Sequence, residues 1–226
     1  MKKSNKKFGF TLAEVLVTLA IVGVVAAMTI PALRKTSEEA ATASVVTKAY
    51  STVANATKAI QNTNGAIRFL PWNDLASVMD QYYIPQMNVM RNCKNNGGCF
   101  DTGYSTLSLN GSANNDFQNG KGWYTFVTAD GMYWAVGQGD TKDGICKYSE
   151  GNPAYIKNGC AHFEVDTNGP KGPNTIGVDI FGFVITPEGA YPMGGCPGCK
   201  STGCKENTGN GWPCTARIIS EGKISW

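Results

Sequence analysis

The hydrophobic pattern of the first sixty residues predicts one long helix with two different halves. From Phe10 to Leu33 the chain is apolar, interrupted by a single acid, Glu14, and by one proline, Pro31. About 20 apolar residues suffice to cross a bilayer as a helix, at roughly 1.5 Å of rise per residue. We therefore predict a transmembrane helix over residues 10–33, with a kink or local melting at Pro31, because proline lacks the amide hydrogen.

Residues 34–62 continue the helix with an amphipathic pattern. Their apolar side chains recur at steps of three and four residues and form one stripe: Val46, Ala49, Tyr50, Val53, Ala56 and Ile60. Such a stripe is typical of a helix that packs on a sheet. The polar run over residues 62–65 should end the helix, with Gly65 as a left-handed cap.

The remaining residues, 63–226, predict a soluble α+β head with a small antiparallel sheet. Asp130-Gly131 is a favoured hairpin turn, and apolar residues alternate on both sides of it. Helical spacing over residues 71–83 indicates a short second helix, capped by Asn73 or Asp74. The predicted strands are 123–127, 132–136, Ala161–Asp166, 181–185 and, more weakly, 216–219.

The distribution of charge argues for a membrane topology and against a nucleic-acid ligand. The formal net charge is +3, but Lys2, Lys3, Lys6 and Lys7 all precede the apolar run. Without these four lysines, 16 basic residues remain against 17 acidic ones, so the head has no bulk attraction for nucleic acid. Lysines ahead of an apolar span predict a cytoplasmic N-terminus and an exported head.

All eight cysteines lie beyond the apolar run, and an even number in an exported domain indicates a disulfide framework. About 100 pairings are combinatorially open, and the near neighbours Cys93–Cys99 and Cys146–Cys160 are favoured. Cys196-Pro197-Gly198-Cys199 could also form a zinc knuckle or a redox pair, although an oxidising compartment favours disulfides. The eight residues are Cys93, Cys99, Cys146, Cys160, Cys196, Cys199, Cys204 and Cys214.

Glu14 is the unusual residue of the apolar run. An ionised carboxylate within hydrocarbon costs roughly 3 kcal/mol, so it should find a partner or reach the membrane edge. If the chain were cut between Gly9 and Phe10, the new amine could pair with the Glu14 carboxylate of a neighbouring copy.

Gly9-Phe10-Thr11-Leu12 with Glu14, and Pro31 further along, resembles the class III signal of type IV prepilins and pseudopilins. The resemblance extends from Lys6 to about Ile60. It implies a leader over residues 1–9, cleavage between Gly9 and Phe10, N-methylation of Phe10, and roles for Glu14 and Pro31 in assembly. The partners it implies are a prepilin peptidase, an inner-membrane platform protein, an assembly ATPase, and further pilin subunits including copies of this chain.

The resemblance implies a structural subunit of a type IV pilus or a type II secretion pseudopilus. Such a subunit crosses the cytoplasmic membrane once and then enters a periplasmic or extracellular filament. One alternative is a membrane-anchored minor pilin or adhesin-type module with a disulfide-stiffened tip. Another is an ordinary secretory signal cleaved after Val25-Ala26-Ala27, against which Glu14 and the continuing helical pattern argue. An exported enzyme is disfavoured, because His162 is the single histidine and no nucleophile motif is present.

A candidate calcium site involves Asp166, Asn168 and Asp179, whose oxygens are ligands of the type that calcium takes. The segment from Val165 to Ile185 also resembles one that recurs in pseudopilin-like sequences, a family in which some loops bind calcium. The favoured alternative is Asx-turn hydrogen bonding, because fewer than six ligands are identifiable. The matching residues are Asp166, Asn168, Gly169, Pro173, Asn174, Gly177 and Asp179.

Overall fold

The structure, a computed structural model, describes residues 11–101, 103–114, 123–139, 141–142, 145–146, 155–156 and 159–226. The chain divides into two units, Met1–Ala40 and Ala41–Trp226. Helix α1, Leu12–Asn64, begins in the first unit and ends in the second.

Helix α1 confirms the long N-terminal helix predicted from the hydrophobic pattern. It continues through Pro31 without local melting, so a kink, the other expected effect of this proline, stays a prediction. It ends where predicted: Gly65 adopts a φ of +85°, and its amide donates to the Gln61 carbonyl at 3.0 Å. Glycine suits this position because it lacks a Cβ that would collide with the following carbonyl.

The head adds a few short helical segments. Asp74 caps the predicted second helix, its carboxylate accepting a hydrogen bond from the Ser77 amide at 3.0 Å. These segments are α2 (Leu75–Val78), a π turn (Met79–Tyr83), two 3₁₀ turns (Ile67–Phe69 and Ile84–Gln86) and the C-terminal helix α3 (Cys214–Glu221).

A six-stranded antiparallel sheet forms the centre of the head. In spatial order it contains β1 (Val89–Lys94), β4 (Tyr124–Thr128), β5 (Tyr133–Gln138), β8 (Ala161–Asp166), β9 (Ile180–Thr186) and β10 (Gly189–Pro192). Two small ladders accompany it, β2 (Thr106–Leu107) with β3 (Ala113–Asn114) and β6 (Thr141–Lys142) with β7 (Ile145–Cys146). The predicted hairpin is present as β4 and β5, with Gly131 at a φ of +84°.

One predicted strand was wrong. Residues 216–219 belong to helix α3, which buries Ile218 and is capped by Gly222 with a φ of +69°. A hydrogen bond from Arg217 Nε to Glu221 Oε1 at 2.8 Å spans one turn of its surface. Four residues with two adjacent isoleucines fit either periodicity, so only packing could decide between helix and strand.

The two edge strands, β1 and β10, were not predicted from the sequence. Strand β1 is largely exposed and its pairing with β4 shifts register twice, so it lacks the alternation that marks a half-buried strand. Strand β10 has four residues, of which one is glycine and one proline.

One face of the sheet packs against the second half of helix α1. The predicted stripe is buried, except for Tyr50, which is half-buried. The Tyr50 ring lies 5.9 Å from that of Phe183 in β9, and its hydroxyl donates to the Ala190 carbonyl at 3.2 Å. The Lys48 ammonium reaches the Asp130 carboxylate of the hairpin at 2.7 Å.

Loops cover the opposite face of the sheet. A second buried cluster forms there around Ala135 and Ile180 from the strands, with Tyr104, Met193 and Trp212 from the loops. Gly182 makes this layer tight, because a Cβ at that position would collide with the Met193 sulfur. The burial of this second face of the sheet therefore depends on loops that are distant from the strands in the sequence.

Candidate functional site

The apolar half of helix α1 has no cover within the described part of the chain. There, α1 is the one helix long and apolar enough to cross a membrane, and none of its 18-residue apolar window is buried. Leu12, Leu19, Met28 and Leu33 each expose more than 60% of their surface. Such a surface requires lipid or other apolar helices around it.

Glu14 forms a capping box with Thr11 at the start of this helix. Its Oε2 accepts hydrogen bonds from the Thr11 amide at 2.8 Å and the Thr11 hydroxyl at 2.9 Å. In return, the Glu14 amide donates to the Thr11 hydroxyl oxygen at 3.2 Å. The Thr-x-x-Glu spacing is the known pattern for this motif, so the sequence carries a signal for the box that the hydrophobic pattern does not reveal.

The predicted cleavage site, between Gly9 and Phe10, lies outside the described residues, which begin at Thr11. The capping box holds the Glu14 carboxylate on the amide of Thr11, the residue that follows Phe10 in the sequence. The pairing of Glu14 with the Phe10 amine of another copy remains a prediction.

Four disulfides stiffen the head. Both pairs favoured from the sequence are present, with Cα atoms 5.7 Å apart for Cys93–Cys99 and 4.6 Å apart for Cys146–Cys160. The structure also decides the remaining pairs, which the sequence had left open: Cys196–Cys199 and Cys204–Cys214. Each bridge links near neighbours in the chain, 3 to 14 residues apart.

The candidate calcium residues form a turn that is bonded within the protein. Asp179 accepts from the Asn174 amide at 2.8 Å, the Thr175 amide at 2.6 Å and the Asn168 side-chain amide at 3.4 Å. Asp166 accepts from the Asn168 amide at 3.1 Å. These hydrogen bonds are the ones that the Asx-turn alternative predicts, and calcium binding stays a prediction that the melting experiment below would test.

Tyr104 completes this buried group, and the sequence contained no sign of it. Its hydroxyl donates to Asp166 Oδ2 at 2.6 Å, across 62 residues of chain. Asp166 and Asp179 are both buried. Burial raises the pKa of Asp166 to about 7, against the hydrogen bond from Tyr104, and the charge of Asp179 adds to the rise. Burial also raises the pKa of Asp179.

We expect the head to lose stability as the pH rises from about 4 to about 7, because of Asp166. Its pKa is higher in the folded protein than the ordinary value of 3.8, so the folded state binds the proton more tightly. The contribution is fully present below about pH 4 and is lost as the pH rises through about 7. Asp179 acts in the same direction, since its pKa is also raised.

Asp166→Asn removes this titrating group, so the free energy of unfolding should fall less between pH 4 and pH 8 than it does in the wild type. The difference between the two proteins should be at most about 4 kcal/mol. Urea unfolding of the full chain in detergent, followed by circular dichroism, would measure it. Asp101→Asn, at an exposed loop residue, is the control.

Two other carboxylates, Asp80 and Asp130, do not interfere with this measurement. Their pKa values are lowered in the folded protein, so their stabilising contributions are lost only toward lower pH. An equal slope in wild type and Asp166→Asn would contradict the assignment.

Calcium should leave the thermal midpoint of the head unchanged. Within the described residues, no group of three His, Cys, Asp or Glu side chains could hold a metal ion. The measurement compares melting of the full chain in detergent with excess calcium and with excess chelator. A rise in midpoint with calcium that Asp179→Asn removes would establish the ion.

His162 occupies a half-buried position on β8, as expected from its strand pattern. Its ring meets that of Trp123 edge-on at a centroid distance of 5.0 Å. A Cβ at Gly137, opposite it in β5, would collide with His162 Nε2, so the imidazole lies directly over the strand. Tyr124 and Trp134, from the two strands of the hairpin, are buried in the core.

Residues 4–30 match the family model described as the prokaryotic N-terminal methylation motif. That range contains Gly9, Phe10 and Glu14, together with most of the exposed large apolar side chains of α1. No curated protein and no solved structure matches the chain. The chain therefore carries the prepilin-type signal of type IV pilins and pseudopilins, and this signal includes the first part of a membrane-length apolar helix.

Proposed function

We propose that this protein is a structural subunit of a type IV pilus or of a type II secretion pseudopilus. The observation that carries the proposal is the uncovered apolar half of α1, most of which lies within the prepilin-type signal. A signal of this kind indicates a structural protein rather than an enzyme.

The surface of α1 suits exchange of lipid for other helices. Before assembly, its apolar side chains lie in the hydrocarbon of the cytoplasmic membrane, with the N-terminus in the cytoplasm. In a filament, copies of the same helix would replace the lipid, so the apolar surface never meets water. Gly23 and its small neighbours Ala20 and Ala27 are exposed, Ala26 is half-buried, and a Cβ placed at Gly23 would meet no neighbour within 4 Å. Small residues let helix backbones approach closely in this way.

The signal also supports a set of partners. A prepilin peptidase would cleave after Gly9 and methylate Phe10. A platform protein in the inner membrane and an assembly ATPase would then extract the chain into a periplasmic or extracellular filament. The head, stiffened by four disulfides, would form the outer surface.

The test is the intact mass and N-terminal sequence of the chain recovered from purified filaments. We expect a mature chain that begins at N-methylated Phe10. Filaments that contain the chain with residues 1–9 still attached, or a mature chain that begins at Met28, would overturn the proposal. Electron microscopy of the same preparation, with antibody against the head, would establish whether the chain is the bulk component or a minor one.

A further inference from the structure

The sequence contains seven Asn-Gly pairs, which share a known chemical weakness. Glycine has no Cβ, so its amide nitrogen can approach the side-chain carbonyl carbon of the preceding asparagine. Attack forms a five-membered imide and releases the side-chain nitrogen as ammonia. The attack requires an exposed asparagine and a glycine N–H that is not held by another group.

Hydrogen bonds protect four of the five Asn-Gly pairs whose two residues the structure describes. In each of the four, the glycine amide donates to an acceptor within the protein. The bonds are Gly65 to Gln61 O at 3.0 Å, Gly111 to Ser108 O at 2.8 Å, Gly211 to Gly203 O at 3.3 Å, and Gly169 to the Asp166 carboxylate.

Three of the four asparagines are restrained as well. The side-chain oxygen of Asn110 accepts from the Ser112 hydroxyl at 2.6 Å, and that of Asn210 accepts from the Trp212 amide at 3.2 Å. The side-chain amide of Asn168 donates to Asp179 at 3.4 Å. Reaction at these pairs must first break the local structure.

Asn96-Gly97 is the exception among the described pairs. The Gly97 amide donates no hydrogen bond within the described part of the chain, and the Asn96 side chain is exposed. Both belong to the loop closed by the Cys93–Cys99 disulfide. Gly97 and Gly98 have φ angles of +72° and +88°, and a Cβ at either would meet no atom within 4 Å. The loop is therefore open enough for Asn96 to reach its neighbour.

We propose that Asn96 is a site of spontaneous deamidation in the folded protein. The Gly97 nitrogen forms a bond to Asn96 Cγ, the bond from Cγ to Nδ2 breaks, and the Gly97 proton leaves through solvent with the departing ammonia. Water then opens the imide at one of its two carbonyls. The product is an aspartate or an isoaspartate at position 96, with no oxidant or cofactor required.

The modification would place a new carboxylate in the same loop as the Lys94–Asp80 ion pair. The Lys94 ammonium lies 2.8 Å from the Asp80 carboxylate, and the φ of Lys94 is +52°. A second acid close to Lys94 would compete with Asp80 for the ammonium. Opening to isoaspartate would also move a side-chain methylene into the backbone of the disulfide-closed ring. All of these groups belong to the head, so the reaction is independent of the proposed function.

The test follows deamidation of the full chain in detergent micelles at mildly alkaline pH by peptide mapping with mass spectrometry. We expect conversion at Asn96 to be about two- to tenfold faster than at the other four sites, the range expected when one hydrogen bond must first open. In the reduced, urea-unfolded chain the five rates should converge. A folded chain in which Asn96 converts no faster than the other four would overturn the proposal.

Two variants separate the loop chemistry from loop strain. Gly97→Ala places a Cβ beside the attacking nitrogen and should slow conversion at Asn96 at least about tenfold, since Gly97 loses its steric freedom. Gly98→Ala places the same methyl at a similarly left-handed position but leaves the Asn96-Gly97 pair intact, so it should keep the wild-type rate. An equal rate in Gly97→Ala and Gly98→Ala would contradict attack by the Gly97 nitrogen.

Discussion

Replacing Glu14 with Ala should reduce surface filaments by about tenfold or more, while cleavage after Gly9 continues. The expected reason is that Glu14 pairs with the Phe10 amine of the neighbouring subunit inside an apolar helical core. Removal of one partner leaves the other charge buried and unpaired, which costs roughly 3 kcal/mol or more. Filament yield is measured by shearing filaments from the cells and immunoblotting them. Cleavage is measured by the electrophoretic mobility of the chain.

The capping box supplies the controls for this prediction. Glu14→Gln removes the charge but keeps an oxygen that can accept from the Thr11 amide, as glutamine does in capping boxes. Thr11→Val keeps the charge and removes the hydroxyl that Glu14 bonds. If the charge is essential, Glu14→Gln should fail and Thr11→Val should assemble. The reverse pattern would assign the role of Glu14 to helix capping, and normal filaments from Glu14→Ala would refute the pairing.

Trp134→Ala should destabilise the head by about 3–5 kcal/mol, the usual cost of truncating a large aromatic side chain in a core. Trp134 is 1% exposed and stacks on Phe126 at a centroid distance of 5.8 Å. Its indole N–H donates to the Thr128 hydroxyl at 3.1 Å. That hydroxyl in turn donates to Asp130, the partner of Lys48 on α1, so the change would also weaken the contact between hairpin and helix.

Chemical unfolding of the full chain in detergent, followed by circular dichroism, measures this effect. Trp123→Ala is the matched control, since Trp123 is half-buried at the start of the same hairpin and packs edge-on against His162. It should cost markedly less. Comparable losses in the two variants would mean that the stack around Trp134 is not the centre of the core.

The N-terminal helix and its signal were predictable because every relevant residue is contiguous. The membrane-length apolar run and the motif around Gly9 are properties of short segments, and no packing is needed to identify them. The hairpin around Asp130-Gly131 was predictable for the same reason, because a short turn with glycine at its left-handed position encodes its own geometry. The Thr11–Glu14 box was also local, and its spacing could have been recognised.

Features that join distant residues could not be predicted. Tyr104 and Asp166 lie 62 residues apart, and no local pattern links them. The edge strands β1 and β10 owe their place to backbone pairing with a partner strand rather than to side-chain alternation.

By itself, the sequence determined that an apolar helix with a prepilin-type signal precedes an α+β head, because these properties depend on neighbouring residues. Only the tertiary structure decided that residues 216–219 are helical, which cysteines pair at the C-terminal end, and that Gly97 alone among the described Asn-Gly pairs has an unbonded amide. Each of these outcomes depends on which groups the folded chain brings within contact distance. The free energy of those contacts comes from residues that are distant in the sequence, so no single segment contains it.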